Sequence, residues 1–165
     1  MALGAGQSAR AATYFLSIPN SAPWYDTGID IASGSQLSIA ALGTVQYGPL
    51  GIQVADANGG DYTGNPFYPT AVYPSTMIES LIGKIGGTTD VGTGTPVPEG
   101  LTGNGPGFVG VSYNQPILSG GRLFLGYNDQ IGYFGGNSGP FVVSGSGEPL
   151  PDPSIAGFFV LGAAL

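Results

Sequence analysis

A chain of 165 residues with ten acids against three bases carries a net charge of −7; with only Arg10, Lys84 and Arg122 as cations it cannot build the basic stripe that nucleic-acid backbones require. It has neither Cys nor His, which excludes disulfides, thiol nucleophiles, Ser-His-Asp catalysis and the usual zinc sites, so any metal site must be all oxygen and points to Ca²⁺ or Mg²⁺. Only 8% of residues are charged while 31 are Gly and 14 are Pro, a balance that favours short strands and many turns in one domain.

Residues 1–22 are expected to form an N-terminal tail or the remnant of a signal peptide. Ala9-Arg10-Ala11-Ala12 resembles an A-x-A cleavage site, although no apolar stretch of adequate length and no basic start precede it. From 23 to 145 the pattern is all β. Residues 36–41, Gln-Leu-Ser-Ile-Ala-Ala, alternate polar and apolar as a half-buried strand does, after a Ser-Gly-Ser turn. Further strands are expected at 44–47, at 77–85 (where Gly83 and Gly86 argue against a helix), and at 108–111, 122–127 and 141–143. Turn clusters separate nearly all of them at the spacing of a sandwich.

Two long loops interrupt the pattern. Residues 49–74 hold Asp56, Asn58, Asp61 and Asn65 together with Tyr62, Phe67, Tyr68 and Tyr73, and 86–106 are rich in Gly, Thr and Pro. Loops of this length in a compact domain are usually functional or disordered. Flat aromatic faces suit the C–H faces of a sugar; they equally serve to pin a loop to a sandwich. A third loop carries a sharper signal. Tyr127-Asn128-Asp129 ends an apolar strand, and Asn137-Ser138-Gly139-Pro140-Phe141 follows across a Gly-rich stretch. A carboxylate and an amide on one loop can wrap a hard cation; Asp and Asn also hold ordinary turn positions.

Taken together, four segments resemble the bacterial galactose-binding lectins of the LecA (PA-IL) type. They are Trp24-Tyr25-Asp26-Thr27-Gly28-Ile29-Asp30-Ile31, the stretch from Gly34 to Pro49, Leu81-Ile82-Gly83-Lys84-Ile85-Gly86, and Arg122 to Asp129 with Asn137 to Phe141. The resemblance implies a small jelly-roll-like β-sandwich with one Ca²⁺ at its edge, whose shell is completed by two sugar hydroxyls. Trp24, the only Trp and the first residue of its expected strand, should be largely buried. Mapped onto this sequence, Tyr47 and Tyr133 would offer backbone carbonyls, Asp129 a carboxylate shared between metal and sugar, and Asn137 its side-chain oxygen. Asp61, Asn65 and Tyr68 are the candidates to contact the sugar from the long loop, in place of a His that the family uses and this chain lacks. A second departure is Gly136, where the family carries Asn or Asp, so one side-chain ligand is missing. Galactose preference is therefore not carried over; the expected partner is a neutral hexose.

Residues 146–165 read as a Pro-rich linker and an apolar segment. Pro151-Asp152-Pro153-Ser154 ahead of Phe158, Phe159, Val160 and Leu161 resembles the bacterial PEP-CTERM sorting signal, with the helix short and the Arg-rich end absent. That implies an extracellular or cell-surface protein attached to the membrane through this segment; a final core strand or helical tail is the alternative. The functional expectation is a calcium-dependent carbohydrate-binding module, with homo-oligomer formation left open. The runner-up is a structural or adhesive surface domain with the same fold and no competent sugar site. Catalysis is not expected: a glycosidase needs two opposed carboxyl groups, and no spacing pairs Glu79 with Glu99 or Asp129, Glu79 reading as part of a solvated strand face.

Overall fold

The computed structural model describes residues 12–48, 51–60 and 64–147. Ten strands follow in chain order: β1 Ala12–Ile18, β2 Trp24–Ile31, β3 Gln36–Leu42, β4 Val45–Tyr47, β5 Gln53–Ala55, β6 Leu81–Ile85, β7 Thr95–Pro96, β8 Ser112–Pro116, β9 Gly121–Tyr127 and β10 Phe141–Gly147. They form two antiparallel four-stranded sheets, ordered β1-β10-β3-β8 and β2-β9-β6-β7, and a separate β4-β5 hairpin. The protein is an all-β sandwich, and its core lies between the two sheets.

The pattern within each strand shows why. In β3, Leu37, Ile39 and Ala41 are buried while Gln36, Ala40 and Leu42 face solvent. This period of two leaves one face of the first sheet wet. The centre of the second sheet is different. All five residues of β6 and Leu123 through Tyr127 of β9 are buried, because loops cover the outer face as well. Glycines make room where large neighbours cross: a Cβ on Gly126, opposite Trp24, would run into the Trp24 ring. Trp24 is only 4% exposed, as the sequence led us to expect.

Four expectations are corrected. Residues 12–18, read as part of a tail, form β1 and pair along their length with β10. Tyr14 and Ile18 point inward, but Phe15 points out at 77% exposure, so the binary pattern of this edge strand is blurred. Residues 108–111 are not a strand. They lie along β6, Val109 N–H donating to the Leu81 carbonyl at 3.0 Å, and the strand proper starts at Ser112. The strand expected at 77–85 begins only at Leu81. Finally, β10 runs to Gly147, beyond the expected boundary at 145. The Pro-rich C-terminal segment lies outside the described residues, among which no helix is long and apolar enough to cross a membrane.

Candidate binding cavity at the sandwich edge

Where β9 leaves its sheet, Asn128 takes over as the organiser. It is fully buried. Its main chain continues the pairing with the β6 side, Glu79 N–H donating to the Asn128 carbonyl at 2.7 Å and Asn128 N–H to the Ser80 carbonyl at 3.0 Å. Its side-chain Nδ2 donates to the carbonyls of Tyr73, Thr76 and Met77, and its Oδ1 accepts from Tyr73 N–H at 2.9 Å. One amide thus holds the 73–77 loop against the end of β9. The next residue, Asp129, is turned toward the edge of the sandwich.

The loop after Asp129 is held at both ends. Val72 N–H donates to the Asp129 carbonyl and Ile131 N–H to that of Thr70. A short 3₁₀ turn, Phe134–Gly136, anchored by buried Phe134, then carries the chain to Asn137. Ser138 and Gln46 exchange backbone hydrogen bonds of 2.8 and 3.0 Å, which staples this loop to β4 and brings Asn137 beside Tyr47.

These elements enclose a cavity of about 680 Å³. Tyr47, Tyr68, Asp129, Tyr133, Gly136 and Asn137 all line it, so six positions singled out in the sequence converge in space. Asp129 is 6% exposed; its Oδ1 accepts from Gln130 N–H at 2.6 Å and its Oδ2 from Asn137 Nδ2 at 2.8 Å. Burial raises the Asp129 pKa, and those two hydrogen bonds pull against the rise. Tyr133 is 69% exposed on the rim. Asn65 is not in the cavity: it is exposed, and its Oδ1 accepts from Phe67 N–H at 3.2 Å in a local turn. Asp61 lies outside the described residues.

Glu79 also lines this cavity, and the reading of it as part of a solvated face is wrong. It is 5% exposed, in a tight turn before β6 with φ of 63°. Burial first, and then the nearby Asp129, push its carboxyl up to about 8; the Tyr127 hydroxyl beside it opposes the rise without completing a hydrogen bond. Two acids that the sequence does not pair therefore share one cavity. Glu99 is elsewhere, its Oε1 accepting from Asn104 and Gly105 N–H. The sequence held one cue to Glu79: it is the lone acid in the apolar run 77–85. Asn128 offered less, since an Asn at a strand end is usually a turn residue.

A solved lectin domain shares this fold. Described as "EclA N-terminal domain; PllA-like lectin", it superposes with a TM-score of 0.53 over 84% of this chain and 98% of that one, at 19% sequence identity. No family profile and no curated protein matches the chain.

Proposed function

We propose that this chain is a carbohydrate-binding module that takes a neutral sugar into the cavity at the β4–β9 edge with the help of Ca²⁺. The observation that carries the reading is the convergence of Tyr47, Asp129, Tyr133 and Asn137, drawn from separate stretches of chain, around one open cavity. The shared fold with a domain described as a lectin supports it.

The donor set suits a hard cation. Among the described residues no three His, Cys, Asp or Glu side chains gather, so an ion here would depend on amide and carbonyl oxygens as well as carboxylate. Asp129 would give its carboxylate. Asn137, which now donates to Asp129, would turn its amide to present Oδ1, and Tyr47 and Tyr133 would offer carbonyls. Bound Ca²⁺ supplies the charge on which two adjacent sugar hydroxyls can sit. Asp129 would accept a proton-donating hydroxyl, and the Tyr133 and Tyr68 side chains would flank the C–H faces.

Binding of one sugar would be weak, because each hydrogen bond exchanged with water gains only ~0.5–1.5 kcal/mol net. Dense display at a bacterial surface, the expectation raised by the C-terminal segment, or assembly into an oligomer would turn weak sites into useful avidity. A second reading, a structural or adhesive surface domain without a working sugar site, draws on Gly136. An added Cβ there would meet nothing within 4 Å, so this side of the cavity is bare of a ligand. Beads carrying the protein at high density, probed on a glycan array in Ca²⁺ and in EGTA, separate the two. Chelator-sensitive binding to a hexose class is the expected result; no binding by protein shown to hold Ca²⁺ gives the second reading the field.

A further inference from the structure

Glu79 has no role in the ligand set above, yet the fold goes to some trouble over it. It is the only non-glycine residue with positive φ among those described, a backbone conformation that residues with a Cβ adopt only under constraint. The residue is only 5% exposed, and its Oε2 is shut off from solvent with no hydrogen-bond partner. Glu79 lines the cavity together with Asp129, and no Lys or Arg lines that cavity to balance the pair. A buried carboxylate without partner or counter-charge is strongly disfavoured. The ordinary resolutions are a neutral side chain or a cation. A neutral occupant would be served as well by Gln or Met, and at this φ better still by Gly.

Gly136, which also lines the cavity, has no side chain to supply an oxygen, and a Cβ there would meet open space. We propose that Glu79 is a ligand of the cation in this cavity, its second carboxylate, supplying the anionic oxygen that Gly136 does not. The inference rests on the calcium-dependent reading and extends it. Two carboxylates match a divalent charge, and with the Asn137 amide and two main-chain carbonyls the protein's oxygens approach the six to eight that Ca²⁺ takes. The strained turn then has a purpose: it holds the carboxyl inward before the ion arrives.

The test is calorimetric titration of the full chain with CaCl₂ alone, on wild type, Glu79→Gln and Glu79→Gly. Gln keeps the shape and removes the charge, and Gly keeps the turn and removes the side chain. Buried emission from Trp24 identifies folded protein. Both variants should bind Ca²⁺ at least about 10-fold more weakly than wild type, since ligand charge sets affinity in such sites. Adding Gly136→Asp to Glu79→Gln should restore part of the loss. Wild-type affinity in either folded variant overturns the proposal and leaves the calcium reading standing. Absence of Ca²⁺ binding in wild type overturns both.

Discussion

Lys84 and Glu79 are five residues apart on one run of chain, both are buried, and the protein deals with them in opposite ways. The Lys84 ammonium is fully provided for. It donates to the Asp90 carbonyl at 3.0 Å and to Thr93 Oγ1 at 3.2 Å, and it lies over the rings of Trp24 at 4.4 Å and Phe124 at 5.3 Å. Burial lowers its pKa and Asp90 opposes that. The loop around it is equally self-sufficient: Thr88, Asp90 and Thr93 bond to one another, and Glu99 caps Asn104 and Gly105. Glu79 has an orphan oxygen, an acid for a neighbour and a strained backbone. Both buried charges look alike as single letters. A charge whose partners all come from the protein is architecture, and one left short of partners marks the place where something else binds.

The largest expected effect sharpens the border between the two regions. Asn128→Ala would remove four buried hydrogen bonds and leave the Tyr73 N–H and the Thr76 carbonyl without that partner, and should destabilise the domain by about 3 kcal/mol in urea unfolding. Lys84→Met comes next. It keeps most of the volume but removes two hydrogen bonds and the cation–ring contacts, for a loss of about 2 kcal/mol. An unchanged Lys84→Met protein would break the contrast from the architectural side.

Glu79→Gln should act in the other direction. In Ca²⁺-free buffer the wild-type carboxyl binds a proton up to about pH 8 when folded but only to its ordinary 4.5 when unfolded. The folded state therefore binds more protons across that window, and stability should fall as pH rises from about 4.5 to about 8, then level off. Asp129 and Tyr47 line the same pocket and the buried Tyr127 hydroxyl lies beside Glu79; Asp129, itself raised, adds to the trend. Removing the Glu79 charge should flatten the slope and stabilise the Ca²⁺-free domain above pH 8 by on the order of 1–3 kcal/mol. Thermal melts across pH check this, and a variant as pH-dependent as wild type would show that Glu79 is as well provided for as Lys84.

Much of this contrast could not be read from the sequence, for identifiable reasons. β3 was legible because its faces are sorted by burial, β9 because it is an apolar run bounded by turn residues, and Asp129, Asn137, Tyr47 and Tyr133 because their order follows a known lectin pattern. β1 was missed because an edge strand with one wet face tolerates Phe15 outside. β8, Ser-Tyr-Asn-Gln-Pro, buries only Tyr113 and carries almost no apolar signal. Glu79 was misplaced because its burial comes from a cover of loops distant in sequence, which no local period records.

The smallest effect belongs on the cavity rim. Tyr133→Ala removes a ring that is 69% exposed, so the melting point should move by no more than ~0.5 kcal/mol equivalent, while bead binding to sugar drops. Loss of stability without loss of binding would make Tyr133 a structural contact.

The central claim, that this cavity holds a cation through its carboxylates, is tested most directly by thermal melts of wild type and Asp129→Ala against Ca²⁺. An ion that binds only the folded state should stabilise wild type by ~2.7 kcal/mol at ~100 times its dissociation constant. Asp129→Ala, stripped of an anionic ligand and of the group that orients Asn137, should show little or none of that rise. Identical melting of the two proteins at every Ca²⁺ concentration up to ~10 mM, above the weak extracellular range, would contradict the account.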